Sequence, residues 1–545
     1  MRIFFNKKRL LQVVLFAILI IFMISGCSSS ISNKKNIQTN QESKNGIYPF
    51  KTDVTLKYWM ILHNNVSEVT NNFGNLPIAK ELEKKTGIKV KYIHPPKGQE
   101  HEAFTIMIAS GDMPDIIEIT GLRYPGGPNN AISSGIILKL DELMKKDAPN
   151  LSKYLSGYPE IDKMIKTDNG HYYVFPFLRP DEELLVTFGP VLRKDWLDEL
   201  GLEIPQTLDD WYKMLKAFKE VKNIEAPLTA TVKLDDKNTI FSEFIKLFSG
   251  ATGSYHDFYI EDGMVKFGPI EQNRKFFFQT MAKWYKEGLI DRNIAINDNK
   301  AQDYKMLNGK SGATICSGGS GLGKWLIELK NKDPKSNLVA VRYPSLKRGM
   351  TPKFGVMSLE YSGTGSAAIS AKSKNPDIAA KFLDFMYGED GHNIMNFGIE
   401  NISYSKVCNE PRYTDIIMNN PTKIAPVTIM SKYIRAHTNG AFIQDKRYLE
   451  QYYSLPEQKK ALYVWKNTDQ KKYRMLPVTP DTEESVELSN LIKDINDYVD
   501  DMTYKFIIGN EPISSFDEYV SQVKKLGIDR VLEIYQSALD RYNKR

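Results

Sequence analysis

Gly318 to Lys324 reads GGSGLGK, a glycine, four residues and then Gly-Lys, after an apolar stretch and before a helical pattern. That is the spacing with which a loop cradles nucleotide phosphates, and it needs a Ser or Thr next, to hold magnesium. Trp325 stands there instead. Read without a nucleotide, the glycines admit a ligand to backbone amides at the start of a helix, and the indole offers it a flat face. Other reactive signatures are missing: there is no HExxH, no GxSxG, and the seven histidines follow no metal-ligand pattern. A glycoside hydrolase needs only two carboxylates about 5 to 9 Å apart. An exported polysaccharide-degrading enzyme is therefore the reading that competes with binding.

Cys27 carries chemistry of another kind. Ile24-Ser25-Gly26-Cys27 resembles the bacterial lipobox, whose small residues admit a peptidase and whose cysteine sulfur takes a thioether-linked diacylglycerol. Lys7, Lys8 and Arg9 precede it, followed by about fifteen mostly apolar residues, the layout of a secretory signal. Crossing a bilayer takes roughly 20 apolar residues. Residues 1–26 are accordingly expected to be a cleaved signal peptide, with Cys27 as the first mature residue and the membrane anchor. An uncleaved anchor with a chance cysteine is the alternative. Residues 27–49 are expected to be a flexible tether, since Ser28 to Gly46 is almost wholly Ser, Asn, Lys and Gln.

The chain of 545 residues has a formal charge of +7, and four of its cations (Arg2, Lys7, Lys8, Arg9) leave with the signal. What remains is close to neutral, with cations and anions interspersed, so no nucleic-acid partner is expected. The length outgrows one hydrophobic core and predicts at least two lobes. Aromatic residues make up 11%, with tyrosine the commonest at 29. Cys316 and Cys408 are too far apart in sequence to form a recognisable framework and are expected to be buried thiols rather than a disulfide.

The frame for these residues reads as α/β. Thr52–Met60 alternates as a strand, Pro77 opens a helix that Gly87 stops, and Ile88–Ile93 is a second strand. That order begins a parallel sheet, and Asp115–Ile119 adds a strand to it. Met164–Phe177 reads as a hairpin turned at Asn169-Gly170, and Leu184–Leu192 as a strand. A helix capped by Thr207 with Asp210 follows, with Trp211 on its apolar side; Trp284 lies on that of a later helix, and both are expected in the core. Gly312–Cys316 and Ala367–Ile369 read as strands, and the end of the chain as helices capped by Ser515 and Asp529.

The succession YHDFYIEDGMVKFGP, AKWYKEGLID, NGKSGATICSGGSGLGKWL, NLVAVRYPSLKRG and SAAISAKSKNPDIAAKFLDFMYGEDG resembles family 1 of the extracellular solute-binding proteins of carbohydrate ABC importers, the group of maltose-binding protein. SGDMPDII, RKDWLDELGL, PQTLDDWYKMLKAFKE and PISSFDEYV resemble its lipoprotein members, related to alginate-binding proteins. The resemblance covers about Lys51 to Arg545. It implies an α/β, periplasmic-binding-protein-like (type 2) clamshell, with a hinge, a ligand cleft and a helical C-terminal region. Lobe 1 would be 50–185 and 342–395, and lobe 2 would be 186–341 and 396–545. The implied function is a monomeric, lipid-anchored receptor on the extracellular face of the cell membrane, which delivers an oligosaccharide to an ABC permease without catalysis or cofactor. A sensory lipoprotein that shares the fold is a further alternative. Alginate-binding members hold calcium in an Asp- and Asn-rich loop; Val221–Pro227 stands there with one carboxylate, so no metal is expected, calcium taking six to eight oxygens.

Sugars are gripped by aromatic faces under their C–H groups and by fork-like hydrogen bonds to their hydroxyls. At strand ends or lobe junctions the candidates are Trp59, Arg123, Tyr124, Arg193, Tyr255, Trp325, Glu360, Tyr361 and Tyr404. The resemblance agrees on Trp325, because the maltose-binding group places a sugar-stacking tryptophan after this strand. For each aromatic the plain alternative is core packing. For Arg193 it is an ion pair with Asp195 or another carboxylate.

Overall fold

The computed structural model describes residues 48–119, 124, 126–231, 242–420 and 424–545. The signal segment, Cys27, the tether up to residue 47 and Arg123 lie outside the described residues. Among the described residues no helix is long and apolar enough to cross a membrane.

Twelve strands are described. They are β1 Thr55–Trp59, β2 Lys89–Ile93, β3 Ile116–Ile119, β4 Phe175–Leu178, β5 Phe188–Arg193, β6 Phe258–Glu261, β7 Met264–Phe267, β8 Ala313–Ser317, β9 Leu338–Ala340, β10 Tyr361–Ile369, β11 Tyr404–Val407 and β12 Glu410–Tyr413. One sheet runs β2-β1-β3-β10-β4. β1 is parallel to β2 and β3, as the strand, helix, strand order predicts, and β10 is antiparallel to β3 and β4. A second sheet, β8-β5-β9, is antiparallel, and β6-β7 and β11-β12 are hairpins.

Local chemistry explains the elements. Pro77 sits in the first turn of helix Pro77–Thr86, where its missing N–H is not needed. Gly87 ends it at φ 73°, and a Cβ there would come within 2.2 Å of the Phe50 carbonyl, so only glycine fits. Thr207 and Asp210 form the expected capping box, and Trp211 and Trp284 are buried. Gly170, at φ 78°, turns the chain between Lys166 and Tyr172, which pair across it.

Four expectations differ from the structure. Leu184–Leu192 is not one strand, because Glu182–Leu185 turns as a helix before β5 begins at Phe188. Ser515 belongs to a 3-10 turn, Ile513–Ser515, so its side chain makes no cap bond. Asp529 lies inside the first turn of helix Ile528–Lys544, behind Gly527, where its charge favours the positive helix end. Cys316 and Cys408 are both free, but only Cys316 is buried, which leaves Cys408 exposed where two buried thiols were expected.

The apolar residues form three cores. One is centred on the five-stranded sheet and takes Leu56, Phe104, Phe175, Ala367 and Phe442. The largest surrounds β5 and β8, with Trp211, Phe248, Trp325 and Trp465, and extends into the C-terminal helices through Val499 and Val531. Tyr343, Val356 and Met357 also pack with it. A small third core, with Phe397, Tyr404, Met430 and Tyr453, occupies 397–462 together with Leu184. Two large cores under two sheets give the two-lobe binding-protein fold. Leu476 and Val478 touch both.

Candidate ligand-binding cleft

Ligands of open α/β sheets collect beyond the carboxyl ends of the strands. In the first lobe that edge comprises the ends of β1, β3 and β4 and the beginning of β10, which runs the opposite way. Tyr361 opens β10, and its hydroxyl lies 2.9 Å from that of Tyr173. Tyr124 packs on Phe104, ring centroids 5.5 Å apart, within electrostatic reach of Tyr173. Its hydroxyl is buried without a hydrogen-bond partner among the described residues. Burial raises the pKa of all three phenols, so they act here as neutral donors.

Arg179 follows the last residue of β4. Its backbone N–H donates to the Glu360 carbonyl at 2.8 Å, and its guanidinium sits 5.6 Å from the centre of the Phe177 ring. Nη2 reaches only the Leu359 carbonyl, at 3.4 Å, and Nε is buried with no partner among the described residues. Burial draws the guanidinium down to about 10, against the opposing pull of Tyr448 and Glu360. The Glu360 carboxylate cannot neutralise it fully, because it is held by Arg474 Nη2 at 2.7 and 2.9 Å.

Between the lobes the chain segments are tied to one another. Ser358 N–H donates to the Leu185 carbonyl at 3.0 Å, and Gln444 N–H to that of Leu178 at 2.8 Å. Arg474 Nη1 donates to the Ser358 carbonyl at 3.0 Å. On the second lobe β8 ends at Ser317, whose hydroxyl accepts from Gly321 N–H at 3.2 Å and lies 2.7 Å from that of Ser320. Gly318–Gly323 winds as a π-helical turn into helix Lys324–Lys332. A Cβ on Gly318 would meet the Tyr453 hydroxyl at 2.5 Å, and one on Gly319 that of Tyr452 at 2.6 Å. The close approach these glycines permit is made by the chain's own tyrosines. Lys324 and Trp325 both donate to Asp303, at 2.7 and 2.6 Å. The equipment on these edges is aromatic rings, hydroxyls and a fork of N–H donors, which suits holding a polyhydroxylated ring.

Residues 75–393 match the family described as bacterial extracellular solute-binding protein. The chain belongs to that family. The polygalacturonan/rhamnogalacturonan-binding protein YtcQ of Bacillus subtilis is 24% identical over 543 residues, which cover 98% of this chain and 99% of that one. The fructooligosaccharide ABC transporter substrate-binding protein FusA of Streptococcus pneumoniae is 24% identical over 573, covering 99% and 98%. Among solved structures, the calcium-free alginate-binding protein AlgQ2 superposes with a TM-score of 0.74 at 26% identity, over 91% of this chain and all of that one. FusA with kestose gives 0.72 at 21%, over 90% and 100%, a likeness of fold.

In this solute-binding protein Tyr124, Glu360 and Tyr361 come together at the first-lobe edge, while Arg123 lies outside the described residues. Trp59 ends β1 on the same edge and shares the Phe104 ring with Tyr124, but is packed in the core, and the remaining candidates stand apart. Trp59 is 4% exposed, packs on Phe104 at 5.8 Å and borders an open cavity of about 450 Å3 beneath helix Glu100–Ser110. Arg193 grips Asp195 through Nε at 2.9 Å and through Nη2, and lies over the Trp196 ring. Tyr255 packs against Phe354, ring centroids 4.8 Å apart, and accepts from Gln470 at 3.1 Å. Trp325 is 1% exposed, so neither face of its indole is open in this structure. Tyr404 is 4% exposed, in the third core.

Sequence reasoning missed Tyr173, Arg179 and Tyr452. For Arg179 the signal was present. It is a cation at the end of an apolar strand, FPFLR, like VLR at Arg193. Tyr173 and Tyr452 carry no local pattern, because only the fold brings them to the edges.

Proposed function

We propose that this chain captures an oligosaccharide outside the cell and hands it, enclosed between its lobes, to an ABC permease, acting as a monomer and without catalysis. Cys27 carries the diacylglycerol that holds it on the extracellular face of the membrane. The observation that carries this reading is the end-to-end likeness to relatives named for binding polygalacturonan, rhamnogalacturonan and fructooligosaccharide. Tyr124, Tyr173, Tyr361 and Arg179 are the proposed first-lobe contacts, with Glu360 positioned by Arg474. The proposed lobes keep 50–185 with 358–395 and 186–341 with most of 396–545, while 342–357 moves to the second lobe and 441–443 to the first, because their aromatic and apolar residues pack there. Lobe closure then follows from a ligand that binds the closed state better than the open one.

The test is thermal unfolding of the protein, extracted in detergent, against a panel of neutral and acidic oligosaccharides, with chromatography of the sugars after prolonged incubation. A rise in Tm with intact sugar is the expected result, since a ligand of the native state stabilises it. Shortened sugar products would favour the polysaccharide-degrading alternative. No shift with any sugar would overturn the reading. Cys27→Ala is expected to shed the protein into the medium.

A further inference from the structure

We infer that the captured sugar is acidic, and that Arg179 receives a carboxylate of a uronic acid unit. This rests on the oligosaccharide reading above and narrows it. Arginine matches a carboxylate with two parallel N–H donors, and a desolvated cation without such a partner is costly to keep. Elsewhere in this protein most recessed arginines are supplied, the exception being Arg274, which is closed inside the second core against Phe277 and Phe278, reaches only Ser254 Oγ at 3.4 Å and faces no cleft. Arg193 has Asp195, Arg435 has Glu118, Arg474 has Glu360 and Arg541 has Asp168 and Glu484. Arg179 differs from these: its one side-chain hydrogen bond is the long one to the Leu359 carbonyl, and its buried Nε donates to nothing among the described residues. The carboxylate nearest in charge, Glu360, is committed to Arg474.

The place of Arg179 decides what its missing partner is. It leaves β4 at the carboxyl edge of the first-lobe sheet, where Tyr361 pairs with Leu178 across the strands. Tyr448 lies within electrostatic reach, and Tyr452, one helical turn further along Lys446–Tyr452, meets Gly319 of the second lobe. A free fork of donors thus stands among phenol rings on the path between the lobes. Rings and hydroxyls hold any sugar, whereas the unpaired guanidinium is matched only by an anionic one. Arg193, the arginine whose strand-end position made it a candidate, is already satisfied by Asp195 and supplies no such site.

The experiment is calorimetry of the detergent-extracted full chain with three probes: trigalacturonate, its methyl ester of equal length, and a neutral fructotriose. Wild type is expected to bind the acid at least about tenfold more tightly than the ester, a gap that shrinks with added salt. Arg179→Gln is expected to erase that gap, and Arg179→Lys to restore part of it, because a point charge replaces the fork. Arg179→Met is expected to keep or raise the Tm of the ligand-free protein, whereas an arginine serving the fold would lower it. Equal affinity for acid and ester, or a gap that survives in Arg179→Gln, would overturn this inference while leaving sugar capture standing. Heat from none of the three probes would overturn both.

Discussion

Trp325 has its indole packed in the second core and its N–H held by Asp303 at 2.6 Å. Truncation to alanine empties that space and removes one of the two donors to Asp303, which keeps Lys324, so Trp325→Ala is expected to cost about 3–5 kcal/mol in urea unfolding, most of it from the cavity. A loss below about 1 kcal/mol would mean that the site relaxes around the missing ring. A second consequence concerns pH. Burial, with His63 and Arg435 nearby, holds the His437 imidazole down to about 3, while its Nε2 faces the Ser431 hydroxyl at 2.9 Å. The unfolded chain titrates this group near 6.5. Between those values the unfolded chain binds a proton that the folded chain does not, so the contribution is whole above 6.5 and is lost as pH falls towards 3. Chemical denaturation of His437→Gln across that window should show a shallower fall in stability than wild type; parallel curves would count against it. Trp325 illustrates a limit of sequence reading. A tryptophan after a glycine run reads equally as a stacking face or as core, and the choice depends on Asp303, which arrives from another helix.

Elements were most legible where their ends carry chemistry. Thr207 with Asp210 and Pro77 with Gly87 mark helices that the structure contains at those places. The longest helix, Thr482–Ile508, had equal signals: Asp481 and Glu484 form a capping box, and Gly509 stops it at φ 84°. Its apolar residues are spread among many charged ones, which hid the period. Ser515 with Glu518 shows the same pattern without the bond, because a 3-10 turn takes the position. Asp481→Ala is expected to cost about 1 kcal/mol in urea unfolding, by removing the acceptor for Glu484 N–H. Ser515→Ala, with no cap bond to lose, should change stability by less than about 0.5 kcal/mol. Equal losses at the two positions would contradict the difference between the two helix starts. The site was less legible than the elements: Tyr361 opens a strand of which only the apolar end, Ala367–Ile369, could be read locally. Tyr173 and Tyr452 gain their places only through crossings between distant segments.

At the scale of the molecule, two sheets with separate cores are held by segments that cross between them, and Arg474 is the tie among those segments. It is 10% exposed, donates to the Ser358 carbonyl and clasps Glu360, joining the stretch that precedes β10 to the stretch that leads to the C-terminal helices. Arg541 adds a second tie, bridging Asp168 near the first sheet and Glu484 on the long helix. Such ties hold the crossing segments to one another, and crossing segments are where a hinge between lobes bends. Arg474→Met leaves Glu360 recessed and unpaired, at an expected cost of about 3 kcal/mol. Its signature at the cleft differs from that of Arg179. Loosening the hinge lowers the share of closed protein, so affinity should fall for neutral sugars too, while the unpaired Glu360 carboxylate competes with an acidic ligand for Arg179 and lowers the acid-to-ester ratio besides. X-ray scattering should show a larger radius of gyration for Arg474→Met than for wild type at equal, subsaturating sugar. If scattering is unchanged and only acidic sugars weaken, then Arg474 belongs to the recognition of charge rather than to the hinge.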